Sequence, residues 1–283
     1  MVFIFWLLLI LLVGYFFYLS FDARPGVRKI ESFRQALKIL NIADSKTLVL
    51  FDVDDTLIMP ASKIFRPSIQ EKNKEWINEM MMNAFKRAKK TDSFYIDLWL
   101  LKEIPDVIEP DIIEIIKALQ DRGVIVLALT TTGTGSSQLI PSIPEWRLST
   151  LRKVGIDFDR TDMPNMIFNE LPKDNEGNYP ILYHGMLLCN SVSKGIVLGA
   201  FLNHIKWKPD KIIFFDNNPE YVKAVAQEAE ERKISFYGYE YLGAQNSSDS
   251  LNKEIAELQI NHLVDNEEWL TEQETQTILK NKN

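Results

Sequence analysis

Hydrophobic residues follow two alternating patterns along most of the chain. Short, almost uninterrupted apolar runs, of the length of a buried strand, occupy 47–53, 124–129 and 212–215. In 77–88 and 112–119, apolar residues instead return every three or four positions, which is typical of an amphipathic helix. Strands that alternate with helices predict an α/β fold, with an open, mostly parallel, doubly wound sheet of the Rossmann-like kind in three layers.

Further segments extend this pattern towards both ends of the chain. Helical spacing is found in 30–42 and in 220–231. The segments 179–188 and 234–241 are rich in residues that favour strands, and the first of them follows a cluster of turn-forming residues at 173–178. We therefore expect a helix before the first buried strand and one continuous strand over 179–188.

The first residues of the chain differ from all the others. Residues 2–19 contain no charged side chain and are almost all apolar. A helix needs about 20 apolar residues to cross the hydrocarbon of a bilayer. The sequence therefore predicts an N-terminal hydrophobic helix within 1–23, acting as a membrane anchor or signal segment, ahead of one domain over 24–283.

Two features of the sequence bear on whether this segment is cleaved or stays as an anchor. Lysine and arginine are absent before Arg24, and a cut after Ala23 would place the large Phe21 where a signal peptidase requires a small residue. An uncleaved anchor is therefore favoured, and the basic residues that follow it, Arg28 and Lys29 among them, favour a cytoplasmic domain. The alternative is export, to the periplasm or beyond, after the signal is cleaved.

Charge and cysteine content exclude some classes of function. The net charge is -7, and no basic stretch is longer than the group formed by Lys86, Arg87, Lys89 and Lys90, so nucleic acid is not an expected partner. Cys189 is the single cysteine, which excludes an intrachain disulfide, and it has no neighbouring Cys or His at the spacing of zinc ligands. These counts leave the oligomeric state open.

Polar residues stand where three of the predicted strands end. Asp52 and Asp54 follow the first buried run, Thr130 follows the second, and Asp216 follows the third. The carboxyl ends of parallel strands meet at one edge of a sheet, so we expect these residues to converge there. Buried carboxylates need a cation or hydrogen-bond donors to offset the loss of water, which makes this edge a candidate site.

The segment after the first strand carries a family resemblance. Its sequence at 51–57, FDVDDTL, resembles the first signature of the haloacid dehalogenase (HAD) superfamily, an apolar strand that leads into Asp, any residue, Asp, any residue and Thr. Asp52, Asp54 and Thr56 match this signature position by position.

Three later residues resemble the remaining signatures in the same order. Thr130 closes the second strand, Lys194 stands at the start of a helix, and Asp216 closes the third strand. Together the four matches span 48–219, and the whole chain is similar to an uncharacterised bacterial branch of the superfamily.

The resemblance implies a magnesium-dependent phosphatase that hydrolyses a small phosphorylated substrate. Asp52 is then the nucleophile that forms an aspartyl phosphate, and Asp54 is the general acid and base. Thr56, Thr130 and Lys194 are expected to bind the phosphoryl group, with the Lys194 ammonium neutralising its charge.

The resemblance also implies a set of ligands for Mg²⁺. Asp52 and Asp216 would contribute carboxylates and Asp54 its backbone carbonyl, which leaves positions for water and a phosphate oxygen. Many members of the superfamily have a second acid after the fourth-signature Asp, whereas this chain has Asn217, which is able to bond only a metal-bound water. The alternative is therefore a membrane-tethered binding protein of the same fold, with a weakened or inactive site.

The chain between the first two signatures contains an aromatic-rich helical insert at 59–111. By resemblance, this insert is a small cap that closes over the active-site crevice and selects the substrate. It carries, among other aromatic residues, Trp76, Phe85, Phe94, Tyr95 and Trp99. A second insert at 133–193 separates the second and third signatures.

Overall fold

A mostly parallel sheet lies at the centre of the molecule, in a computed structural model that describes residues 24–161 and 163–282. The strands are β1 (Gly26–Ile30), β2 (Thr47–Phe51), β3 (Ile58–Met59), β4 (Asp106–Val107), β5 (Ile125–Thr130), β6 (Met166–Ile167), β7 (Ile181–Tyr183), β8 (Met186–Leu188), β9 (Lys211–Asp216) and β10 (Ser235–Tyr241). The α-helices are α1 (Leu37–Asn41), α2 (Pro67–Lys72), α3 (Lys74–Phe85), α4 (Asp92–Lys102), α5 (Asp111–Asp121), α6 (Ile143–Lys153), α7 (Lys194–His204), α8 (Pro219–Glu231), α9 (Lys253–Asn266) and α10 (Glu272–Lys282).

The central sheet has the strand order β1-β10-β9-β2-β5-β8-β7-β6. Neighbouring strands are parallel from β1 as far as β8, and β7 and β6 complete the sheet in antiparallel pairs. The short strands β3 and β4 form a separate antiparallel pair. The predicted α/β fold with a mostly parallel sheet is confirmed, and it is compatible with a Rossmann-like fold.

The central strand β2 shows why the sheet has helices on both faces. All of its residues are buried, and successive side chains point to opposite faces. Val49 and Phe51 join an apolar cluster with residues of α5 and α6, whereas Leu48 and Leu50 join a second cluster with residues of α7 and α8. A strand buried on both faces reads as a continuous apolar run, which is the pattern seen in the sequence.

Helices α2, α3 and α4 form a third apolar cluster, in which they pack against α9. Ile69, Ile77 and Tyr95 of the insert contact the group that contains Ile260 and Trp269 from the C-terminal segment. The sequence predicts a helical insert, but no helix was predicted for 253–282, and periodicity carries no information on which helices pack together. The C-terminal segment thus shares a core with the insert.

Two predicted elements differ from the structure. Ile30 ends a strand, β1, which pairs with β10, and the helical residues of 30–42 begin only at a 3₁₀ helix, Phe33–Ala36. Ser32 caps this helix by accepting a hydrogen bond from the Arg34 backbone N–H and donating its own backbone N–H to Gln35. Spacing at three and four residues does not distinguish a short edge strand from the first turn of a helix.

The segment 179–188 is a hairpin, β7 and β8, instead of one strand. Its two turn residues, His184 and Gly185, have φ angles of 47° and 77°. A two-residue turn with positive φ at both positions matches the twist of the strands it joins. A Cβ at Gly185 would also lie 2.3 Å from the Phe158 carbonyl oxygen, so this position accepts only glycine.

The predicted N-terminal hydrophobic helix at 1–23 lies outside the described residues. Among residues 24–161 and 163–282, no helix is both long enough and apolar enough to cross a membrane.

Candidate active site

A buried lysine joins two carboxylates at the carboxyl edge of the sheet. Asp52 directly follows β2, Asp216 ends β9, and Lys194 is the first residue of α7. The Lys194 ammonium lies 2.5 Å from Asp52 Oδ1 and 2.6 Å from Asp216 Oδ2. Three residues that the sequence analysis assigned to one site, and that are far apart in the chain, are therefore in direct contact.

Burial and charge determine the protonation of this group. Burial lowers the pKa of Lys194, but the charges of Asp52 and Asp216 outweigh it, and the pKa is raised. Burial raises the pKa of Asp52, and burial together with the charge of Asp52 raises the pKa of Asp216 to about 7. Two buried carboxylates thus share one cation, and burial opposes the ionisation of both together.

Thr56 links the loop after β2 to the loop after β9. Its hydroxyl donates to Asp52 Oδ2 at 3.0 Å and accepts from the Asn217 backbone N–H at 3.1 Å. Asp216 Oδ1 accepts a hydrogen bond from the Asn218 backbone N–H at 2.8 Å. The tight loop after β2 thereby fixes the orientation of the Asp52 carboxylate.

Thr130 lies at the end of β5, which pairs with β2. Its side chain is buried, and its hydroxyl lies 3.0 Å from that of Thr132 and accepts the Thr132 backbone N–H. The structure therefore places Thr130 at the predicted edge of the sheet, where its hydroxyl bonds to Thr132 in its own segment.

Asp54 contacts an arginine that the sequence analysis missed. Its Oδ2 accepts a hydrogen bond from Arg147 Nη2 at 2.8 Å, and its side chain is 56% exposed. Arg147 lies on α6, is almost fully buried, and places its guanidinium 4.7 Å from the centroid of the Trp146 ring. A single arginine within an ordinary helix gives no signal in the sequence.

The neighbouring residue, Asp55, has a backbone φ of 60°, which turns the chain. Burial, followed by the charges of Asp54 and Asp52, raises its pKa to about 7. Asp55 and Asp54 both line a cavity of about 210 Å³ beside the buried group. The insert and α6 form the other walls of this cavity.

The oxygen donors of the site fit a divalent cation, although within the described part of the chain no three His, Cys, Asp or Glu side chains converge on one point. Magnesium needs only one or two carboxylates, since it keeps several waters and takes substrate phosphate oxygens. Asp52 and Asp216 supply two buried carboxylates with raised pKa values. A divalent cation beside them would favour their ionised forms.

Fold and site together define an α/β protein with a buried Asp-Lys-Asp group at the carboxyl edge of a mostly parallel sheet. Residues 29–276 match the family model described as "Protein of unknown function (DUF2608)", and the chain belongs to that family. The matched region includes all of the site residues described above.

Relatives of the chain are found in two bacterial genera. It is 28% identical to "Uncharacterized protein RP296" of Rickettsia prowazekii, over 86% of each chain, and 24% identical to an uncharacterized protein of Rickettsia bellii, over 75% of this chain and 73% of the relative. It is also 21% identical to a Chlamydia trachomatis protein named "Putative outer membrane protein", over 84% of this chain and 85% of the relative. No solved structure gives a significant match.

Proposed function

We propose that this protein is a magnesium-dependent phosphomonoester hydrolase of the HAD type, which acts through an aspartyl phosphate on Asp52. The observation that carries the proposal is the buried contact of Lys194 with both Asp52 and Asp216. Burying these charges destabilises a protein unless they are paired. A site that binds a phosphate dianion has a function for such a buried charged group.

The proposed reaction begins with attack of an Asp52 carboxylate oxygen on phosphorus. The bond between phosphorus and the ester oxygen breaks, and the departing oxygen takes a proton from Asp54. Water then attacks the aspartyl phosphate while Asp54 accepts its proton, which releases inorganic phosphate and the free Asp52 carboxylate. Lys194 holds the nucleophile in place and offsets the charge of the phosphoryl group, which Thr130 would orient by a hydrogen bond. Thr56, predicted to bind the phosphoryl group, donates its hydroxyl hydrogen to Asp52 and would orient the nucleophile instead.

Asp52, Asp216 and the backbone carbonyl of Asp54 would hold Mg²⁺, with Asn217 bonded to it through water. The bound ion would supply positive charge that reduces the repulsion between the substrate phosphate and the Asp52 carboxylate. The convergence of the Asp52 and Asp216 carboxylates on one point at the edge of the sheet supports this assignment.

The finer description of the fold belongs to the same proposal. We infer a three-layer, doubly wound, HAD-type domain in which residues 59–111 form the cap. Its support is the position of the insert, whose helices α2, α3 and α4 pack in an apolar cluster with α9 and whose helix α4 borders the cavity next to Asp54.

We propose a location in the cell envelope, through an anchor formed by residues 2–19. The name of the Chlamydia trachomatis relative supports an envelope location, and the basic residues after the apolar segment favour a domain on the cytoplasmic side. Protease treatment of intact cells tests the side of the membrane, because degradation of the domain from outside would exclude the cytoplasm and favour export.

The activity is tested with the purified full-length protein and 4-nitrophenyl phosphate. We expect hydrolysis that requires Mg²⁺ and is abolished by Asp52→Asn, whereas Asp210→Asn, an exposed carboxylate at the start of β9, should leave it unchanged. Binding of inorganic phosphate without turnover, across several divalent cations, would contradict the enzyme and favour the second candidate. That candidate is a membrane-tethered binding protein, and Asn217 is the observation that favours it.

A further inference from the structure

The cavity beside Asp54 lies where the departing part of a phosphate ester would have to be. Asp54, the proposed acid for the ester oxygen, lines the cavity, and Asp52 lies two residues before it. A phosphoryl group held at Asp52 would therefore present its organic part to this cavity. The walls come from residues 58–60, from the insert and from α6.

Three aromatic side chains are among the residues that line these walls. Phe65 and Trp99 of the insert lie with ring centroids 4.4 Å apart, and Trp146 of α6 lies on another side of the cavity. The volume is about 210 Å³. A protein cavity of about 150 Å³ holds benzene, so this one is large enough for a single ring with a short linker and too small for a drug-sized molecule.

The charges around the cavity disfavour a substrate whose organic part carries an anionic group in addition to the phosphate. Three carboxylates, those of Asp54, Asp55 and Glu103, line it together with one cation, Arg147, which is already paired with Asp54. Glu103 also accepts hydrogen bonds from the Ser62 backbone N–H and from Trp269 Nε1, so it has little capacity left for hydroxyl groups of a ligand. An anionic or polyhydroxylated group would lose water in this cavity without gaining matching partners.

Two buried donors of the cavity residues have no acceptor in the part of the chain that the structure describes. They are Trp99 Nε1 and Arg147 Nε. Both atoms are covered by protein, and a buried N–H without a partner is unfavourable.

We propose that this cavity binds the leaving group of the ester and selects uncharged alcohols or phenols built on a single aromatic ring. The proposal rests on the phosphatase function proposed above and names its substrate class. Trp99 and Trp146 determine specificity by contacting the ring from opposite segments, the insert and α6.

The test compares esters of primary alcohols, so that differences in leaving-group chemistry are small. The full-length protein is assayed with 2-phenylethyl phosphate, ethyl phosphate and glucose 6-phosphate, and with 2-phenylethyl phosphate that carries a ring carboxylate. We expect kcat/KM for the plain phenylethyl ester to exceed each of the others by about 10-fold or more, the range that apolar pockets provide.

Two variants test whether the cavity causes the preference for the aromatic ester. Trp99→Leu and Trp146→Leu should each lower kcat/KM for 2-phenylethyl phosphate by about 10-fold, with ethyl phosphate little changed. Trp76→Leu is the matched control, because Trp76 also belongs to the insert but packs against Lys253, away from this cavity. The melting temperature of each variant shows whether it still folds. The two cavity variants lie on separate segments, so each tests the cavity independently of the other.

The outcomes separate the two proposals. Equal kcat/KM for all four esters, or equal losses on every ester in both cavity variants, would overturn the aromatic specificity and leave the phosphatase intact. Absence of hydrolysis of every ester would overturn both.

Discussion

Lys194 is the residue on which the candidate site depends most. Its ammonium is fully buried and is the cation in contact with both Asp52 and Asp216. Removing one partner of a buried ionic group leaves uncompensated charge, which is far more costly than breaking an ion pair on the surface.

Lys194→Met should therefore lower the free energy of unfolding by about 3–5 kcal/mol, because two buried carboxylates lose their cation. Urea denaturation at neutral pH measures this loss. Lys208→Met, at an exposed lysine, is the matched control and should change stability little. Equal unfolding midpoints for the two variants would contradict the charge balance described for the site.

The sequence predicts much of this site at the residue scale, since Asp52, Lys194 and Asp216 each stand at a strand end or helix start. Their convergence follows from a parallel sheet. Arg147 could not be predicted, because its contact with Asp54 depends on how α6 packs after a long insert. Local patterns indicate elements and their ends, whereas contacts between distant side chains arise from tertiary packing.

At the scale of elements, the main wrong prediction is the single strand over 179–188, where the structure has the hairpin of β7 and β8. An apolar run does not reveal a turn, although His184 and Gly185 in its middle were the available signal. Strands β2, β5 and β9 were predictable because burial on both faces gives continuous apolar runs.

Gly185→Ala should destabilise the protein by about 1–3 kcal/mol, because the added methyl group meets Phe158 and the backbone has positive φ. Gly177→Ala separates the two causes, since Gly177 also has positive φ but a Cβ there would meet nothing within 4 Å. Denaturant titration of both variants is the measurement. A loss for Gly177→Ala as large as that for Gly185→Ala would show that the contact with Phe158 is unimportant.

For the molecule as a whole, the insert is tied to the C-terminal part of the chain. Arg66 of the insert is paired with Asp249, before α9, and with Asp106 of β4. Trp269, after α9, donates its indole N–H to Glu103 of the insert. The sequence predicts a helical insert but not its contact with the C-terminal segment, because the contacting residues are 166 to 183 positions apart in the chain.

Because of the ion pair of Arg66 and Asp249, the stability of the protein should depend on pH in a defined direction. Burial raises the pKa of Asp249, but hydrogen bonds from Ser247 and Arg66 outweigh it, so the pKa is lowered. A lowered folded-state pKa stabilises the protein above the unfolded value of about 3.9, and this stabilisation is lost as the pH falls through the folded value.

Asp249→Asn should therefore be less stable than the natural protein at pH 7, and the difference should shrink as the pH falls below about 4. Thermal unfolding of both proteins across this pH range measures the difference in stability. Asp210→Asn, at an exposed carboxylate, should show no such convergence. A difference that is constant with pH would contradict the role given to this ion pair.

The central claim is that Asp52 carries the phosphoryl group during turnover, and trapping of the covalent intermediate tests it most directly. The full-length protein is mixed with 4-nitrophenyl phosphate and Mg²⁺, quenched in acid within the first turnovers, digested and analysed by mass spectrometry. We predict one phosphoryl group on the peptide that contains Asp52, removable by hydroxylamine and absent from Asp52→Asn. Turnover without a phosphorylated Asp52 peptide, or phosphate found on another residue, would contradict the account.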